Sequence, residues 1–131
     1  MGASPNYASN PLPPNIIQVS AANTNRDGSG TVVELTKGTV AGVVLEQVRI
    51  EAAGVTTSGM IRFFLSIDNG ATKRLFCEKP VTAITPSATT QAFSALVDDL
   101  VGLTLQDANT ILYAATHNAE VFNIFSHKAG L

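Results

Sequence analysis

Residues 60–79 read MIRFFLSIDNGATKRLFCEK, and this stretch decides the fold. Two strand-like runs flank Asp68–Gly70, whose Asp-Asn-Gly sequence is typical of the tight turn between antiparallel strands. One face of the first run carries Ile61, Phe63, Leu65 and Ile67. Because side chains alternate between the two faces of a strand, this spacing predicts a β-hairpin with one buried face.

Short apolar runs separated by turn residues continue in both directions, which favours an all-β domain. In residues 43–53 polar and apolar side chains alternate from Gln47 to Ala52, so we expect one face of this strand to be buried. Further strands are predicted over residues 16–20, 31–36, 110–116 and 120–127.

Two segments are less regular. Pro80 and Pro86 bracket residues 81–85, which suits an edge strand or a crossing connection because proline cannot donate to a sheet. Residues 89–97 fit both helical and strand spacing. We favour a strand that ends near Val97, followed by a loop or a single helical turn at residues 98–102.

The chain has 131 residues, which is enough for one domain. About eight strands without βαβ alternation predict a two-sheet β-sandwich, a jelly roll, over residues 16–131. Residues 1–15, MGASPNYASNPLPPN, hold four of the six prolines and no charge. They are predicted to form an extended N-terminal arm, because proline fixes φ and removes a hydrogen-bond donor.

The arm has two interpretations. Chain termini are often loosely ordered, which makes a disordered arm one of them. The other is an arm that packs along a neighbouring subunit. The candidate interface residues are Tyr7, Pro11, Leu12, Pro13, Pro14 and Ile16.

The charge balance argues against some partners. The 8 Lys and Arg against 10 Asp and Glu give a net charge of -2, which does not favour nucleic acid. Charged residues are only 14% of the chain, as expected if neighbouring subunits cover much of its surface. We expect no internal disulfide, since Cys77 is the only cysteine. No secretion signal and no membrane-spanning run are visible in the sequence.

Residues 23–34, NTNRDGSGTVVE, match the oxygen-ligand spacing of a calcium-binding loop. The matching positions are Asn23, Asn25, Asp27, Gly28 and Glu34. Asn at the first position lowers the negative charge, and the flanking segments are strand-like rather than helical. We therefore favour a loop of side-chain-to-backbone hydrogen bonds, with calcium binding as the alternative.

The groups that could support catalysis are scattered along the chain. His117 and His127 are far from Cys77 in sequence, and a thiol in mid-strand is usually buried and inert. Neither a nucleophile elbow nor a recognised zinc-ligand spacing is present. We therefore expect no enzyme activity, no cofactor, no metal and no small-molecule substrate.

Four stretches form a recognisable set: TNRDGSGT (24–31), RIEAAGVTTSGMIRFFLSIDNG (49–70), PVTAITPSATTQAF (80–93) and ATHNAEVFNI (115–124). Together they resemble small structural proteins encoded by tailed bacteriophages. The resemblance implies a virion protein made in the bacterial host cytoplasm. A small jelly roll with an arm is similar to capsid decoration (cement) proteins, which implies a homotrimer bound to the major capsid protein on the capsid surface.

Two other functions remain open. A host-surface-binding adhesin or fibre module would place its ligand site on loops such as residues 23–30 or 54–59. A neck or tail structural protein would have a symmetry other than three-fold. None of these functions calls for nucleic acid or a membrane as partner.

Overall fold

A computed structural model describes residues 10–131, which form ten strands and one 3-10 turn. The strands are β1 (Asn10–Pro11), β2 (Asn15–Val19), β3 (Val33–Lys37), β4 (Val43–Ala52), β5 (Gly59–Ser66), β6 (Arg74–Val81), β7 (Ser94–Leu96), β8 (Thr104–Leu105), β9 (Ile111–Thr116) and β10 (Phe122–Gly130). The turn spans Asp98–Leu100, directly after β7. Within the described range no helix is long and apolar enough to cross a membrane.

The strands form two antiparallel sheets, which confirms the predicted β-sandwich. In the first sheet β10 lies between β4 and the edge formed by β1 and β2, and β4 pairs with β7 and β8 on its other side. The second sheet has the order β3-β9-β5-β6. If β1 is left out, β7 and β8 count as one strand, and the resulting eight strands are renumbered 1 to 8 in chain order. The two sheets then have the orders 1-8-3-6 and 2-7-4-5, which is the strand arrangement of a jelly roll.

The core lies between the two sheets. The predicted alternation in β4 is confirmed, since Val48 and Ile50 are fully buried while Arg49 is exposed. The rings of Phe93 and Phe122 pack edge to face with their centroids 6.4 Å apart. This arrangement is favoured between aromatic rings, and it ties the segment before β7 to β10.

The β5–β6 hairpin forms at the predicted Asp-Asn-Gly turn. Asn69 and Gly70 have φ values of 59° and 89°, a region that these two residue types adopt most readily. The Asp68 carboxylate accepts the backbone N–H of Thr72 and the hydroxyl of Ser66, each at 2.8 Å. These two hydrogen bonds lower the pKa of Asp68, so the ionised carboxylate is the form that closes the turn.

Two large apolar side chains of this hairpin are exposed. Ile67, predicted on the buried face, is 75% exposed because it lies beyond the last residue of β5. Phe76 is 42% exposed because Cys77 and Leu75 pair with consecutive residues of β5 and leave Phe76 in a bulge. A bulge redirects the side chain that it carries.

The connections between strands gather at the two ends of the sandwich. The loop end holds residues 20–32, 53–58, 82–93 and 117–121. The hairpin end holds residues 38–42, 67–73 and 106–110, and there the Leu131 N–H donates to the Gly42 carbonyl. The four stretches that carry the phage resemblance contain three connections of the loop end, and residues 24–31 of the fourth connection, 20–32.

Candidate functional site

The loop between β2 and β3 covers the outer face of the second sheet. The guanidinium of Arg62 on β5 donates to the Asn23 carbonyl, and Arg26 bonds to Glu78 on β6. Gly28 lies so close to the backbone of Lys73 that an added Cβ would collide with it. The sheet residues beneath this loop are therefore shielded from solvent, including Arg62.

Hydrogen bonds within residues 23–31 match the favoured interpretation of the calcium-like motif. The Asn23 amide group donates to the carbonyls of Ser29 and Thr31, and its oxygen accepts the Asn25 N–H. Asp27 accepts both the hydroxyl and the N–H of Ser29, and these bonds lower its pKa. The side chain of Asn23 is thus committed to holding the loop backbone.

Arg62 is a buried charge, since its side chain is only 5% exposed. Its Nε donates to Glu78 Oε2 at 2.8 Å, and one terminal nitrogen lies 3.2 Å from Nδ1 of His117. Arginine remains charged in proteins, so this burial depends on the carboxylate of Glu78. Removing one partner of such a pair costs about 3–5 kcal/mol, which makes the pair an anchor for the covering loop.

The candidate catalytic groups lie in different surroundings. Cys77 packs against the core from β6, His117 contacts Arg62, and His127 is exposed on β10 of the other sheet. Burial, with smaller contributions from Asp99 and Glu78, raises the pKa of the Cys77 thiol to about 12. In the part of the chain that the structure describes, no three His, Cys, Asp or Glu side chains cluster as a metal site requires.

The outer face of the first sheet is exposed, whereas the loop between β2 and β3 covers the outer face of the second sheet. Strand register places one residue from each of four strands in a single row across it: Ile16, Phe125, Arg49 and Leu96. Ile16 is 62% exposed and Leu96 41% exposed, and Phe125 between them is half-buried. We call this surface the open face.

The next row of the open face is polar. It consists of Gln18, Asn123, Glu51 and Ser94. Gln18 donates to Asn123 at 3.1 Å, while Arg49 of the first row reaches Glu51 at 3.3 Å. The first row is apolar except for Arg49, and satisfied polar groups border it. This composition is typical of a protein–protein interface, in which arginine and aromatic residues are enriched and the rim is polar.

A second exposed apolar feature is a groove of about 410 Å³ beside the β5–β6 hairpin. Its apolar lining residues are Leu65, Ile67, Leu75 and Phe76. Asp68, Thr72 and Arg74 supply the polar part of the lining, with one charge of each sign. We call this feature the hairpin groove.

The predicted interface residues lie along the edge of the first sheet. Asn10 and Pro11 pair with Gly130 and Ala129 of this chain's own β10, so the described part of the predicted arm continues the sheet edge. Pro11, Pro13, Pro14 and Ile16 are exposed, and Leu12 is half-buried. Tyr7 lies outside the described residues.

No family model and no curated protein matches this chain. Among solved structures, a pentameric capsid protein isolated from metagenomic phage sequences is similar at 17% sequence identity and a TM-score of 0.38. The match covers 88% of this chain and 60% of that chain, so this chain spans less than two thirds of its neighbour's length. With a likeness this distant, the function has to be argued from the chain's own surfaces.

Sequence reasoning identified Ile16 but missed the residues that accompany it. Phe125 joins Ile16 only through the pairing of β10 with β2, segments more than 100 residues apart in sequence. Leu96 joins the same row through the pairing of β7 with β4. Alternation along β6 places Phe76 on the same face as Arg74 and Glu78, and the structure adds a bulge at this position. The sequence did carry one signal for these exposed residues: apolar side chains occur at positions that alternation assigns to the polar faces of two neighbouring strands.

Proposed function

We propose that this protein is a structural component of a phage virion, a capsid decoration protein that binds the head surface as a homotrimer and stabilises it. The major capsid protein is the proposed partner. The open face is the proposed contact with it. The resemblance of the four sequence stretches to tailed-phage proteins supports the virion role. The open face supports the contact with the capsid.

The open face carries the proposal because the two outer faces of the sandwich differ. The chain folds its own loop over one sheet and leaves an apolar row exposed on the other. In that row Ile16 and Phe125 are direct neighbours, and Arg49 lies between Phe125 and Leu96. Exposed apolar groups that lie this close together are typical of interaction surfaces rather than of a solvated sheet. Three copies that present this row together bind with an effective concentration that no single copy reaches.

The proposed function involves no catalysis. A thiol with a pKa near 12 is protonated at neutral pH and is a poor nucleophile. His117 lies 3.2 Å from a terminal nitrogen of the buried Arg62.

The test is to locate the protein on virions of the encoding phage by cryo-electron microscopy. We expect density at three-fold or quasi-three-fold positions of the capsid. Density at the tail or a fibre, or its absence from the particle, would overturn the decoration function and favour an adhesin or neck component.

A variant pair tests the open face itself. Leu96→Lys places a second positive charge directly opposite Arg49 in this row, and Val40→Lys places the same charge at a site that is 93% exposed outside that face. We expect Leu96→Lys to lower binding to particles lacking the protein at least tenfold and Val40→Lys to bind normally. Equal binding by the two variants would remove the open face from the proposal.

A further inference from the structure

We propose that copies of this chain join edge to edge and head to tail, with the Pro11–Ile16 strip of one copy lying in the hairpin groove of the next. The inference deepens the proposed homotrimer and depends on it for the number of copies. It assigns self-association to the two edges of the sandwich, which leaves the open face available for the capsid.

The hairpin groove suits an apolar strip better than another strand. It lies along β6, the edge strand of the second sheet. The bulge at Phe76 and the ring of Pro80 interrupt the row of backbone groups that a further strand would need for regular pairing. Phe76 and Ile67 instead project exposed apolar surface, so side chains rather than a backbone ladder would fill the groove.

The strip has matching chemistry. Residues 10–19, NPLPPNIIQV, contain no charge, and Pro11, Pro13, Pro14 and Ile16 are exposed. The groove carries one acidic and one basic residue, Asp68 and Arg74, so neither side presents an unbalanced charge to the other. Proline-rich segments lose little conformational entropy on binding and commonly dock in grooves that contain an aromatic ring.

The chain that precedes the strip can extend the same contact. Residues 1–9, MGASPNYAS, lead into Asn10 at the hairpin end, carry no charge and include Tyr7. Nine residues span at most about 30 Å when extended. An arm of that reach and composition, starting beside a neighbour's groove, meets the requirement for an occupant of this apolar surface.

The strip and the groove lie on opposite edges of the sandwich but at the same end of it. β2 packs beside β3, at the opposite edge of the sandwich from β6. Asn10 pairs with Gly130, next to Leu131, which bonds to Gly42, while the groove flanks the 67–73 turn, so both features belong to the hairpin end. Two different patches on opposite edges form a heterologous interface, which closes into a ring when the rotation allows it.

The experiment uses two variants that each lose one side of the contact. The strip variant is Pro13→Asp with Pro14→Asp, and the groove variant is Ile67→Asp, all at exposed positions. Native mass spectrometry of the full chain is expected to show a trimer for the wild type and for Val40→Asp. Each of the two variants alone is expected to be monomeric at the same concentration.

Mixing the two variants distinguishes a head-to-tail contact from a symmetric one. One intact strip and one intact groove remain in the mixture, so isotope-labelled strip variant and unlabelled groove variant should form a heterodimer and no larger ring. The absence of that heterodimer, or a monomeric wild type, would overturn the inference. Phe76→Ser provides a second groove variant in case Ile67→Asp fails to fold.

The outcomes separate this inference from the proposed function. A wild-type ring of another size with the expected heterodimer supports the head-to-tail contact and contradicts the trimer. A monomer that nevertheless occupies capsid positions in virions overturns the contact and leaves the decoration function standing.

Discussion

Ser126 carries a buried hydroxyl for which the described residues offer no hydrogen-bond partner. The residue is 0% exposed in the middle of β10, and its Oγ is unsatisfied. Burying an unpaired hydroxyl costs about 1–3 kcal/mol in proteins. Ser126→Ala is therefore expected to raise the free energy of unfolding by about 1 kcal/mol, measured by urea denaturation.

Thr36→Val is the control for that change. Thr36 is as deeply buried as Ser126, but its hydroxyl donates to Asn15 and accepts from Lys128. We expect this substitution to lower the free energy of unfolding, since it leaves partners unpaired. Destabilisation by Ser126→Ala as large as that by Thr36→Val would show that the Ser126 hydroxyl does have a partner.

Cys77 gives a pH-dependent prediction at the same scale. Its folded pKa of about 12 lies above the value of about 8.5 for a free thiol. Because the folded pKa is raised, the thiol's contribution to stability is complete below pH 8.5 and is lost as pH rises towards 12. Alkylation by iodoacetamide at pH 8 should therefore be slow in the folded protein and fast in urea. Equal rates in the two states would contradict the burial of this thiol.

At the scale of the element, the covering loop depends on Gly28. Its φ of +89° is unfavourable for other residues, and an added Cβ would collide with the Lys73 backbone. Gly28→Ala is expected to destabilise the protein by more than 2 kcal/mol, on the order of left-handed strain plus a steric clash. Amide hydrogen exchange should locate the change in residues 23–31.

Gly102→Ala is the matched control for the loop. Gly102 has a similar φ of +85°, but nothing lies within 4 Å of an added Cβ. This substitution should cost about 1 kcal/mol, from backbone strain alone. Equal effects of the two substitutions would mean that the loop does not press on the Lys73 backbone, directly before β6.

The sequence was sufficient for elements with a local signal and insufficient for contacts between distant segments. The Asp68–Gly70 turn was predictable because Asn69 and Gly70 tolerate the left-handed backbone that the turn requires. The burial of Arg62 was not, because its cover comes from residues 23–31, which no local pattern links to β5. Candidate interface residues were found where the composition was unusual, as in the proline-rich strip, and missed where strand order alone assembles them.

At the scale of the whole molecule, β10 holds the first sheet together. It pairs with β4 on one side and with β1 and β2 on the other, although β2 and β10 are more than 100 residues apart in sequence. A chain that ends at Val121 should therefore fail to fold, which circular dichroism would show. A chain that starts at Asn10 keeps every described strand and should fold; failure of that control would assign a structural role to residues 1–9.

An edge-to-edge ring also allows the open faces of all copies to lie on the same side of the ring. When the rotation axis runs normal to the sheets, every copy turns the same outer face to the same side of the ring. All the apolar rows then point towards one surface, as the proposed capsid contact requires. The covered faces, shielded by residues 23–31, point the other way.

Because Asn10 pairs with Gly130, the resistance of the fold to a pulling force depends on the direction of that force. Asn10 begins β1, and Gly130 ends β10, its antiparallel neighbour. A force that separates these two residues therefore breaks the hydrogen bonds between the two strands one after another. A force applied across the sheet instead spreads over the long β10–β4 ladder, where all the bonds bear the load at once. The fold is therefore expected to open readily when it is pulled at Asn10 and Gly130, and to resist a force applied across the width of the sheet.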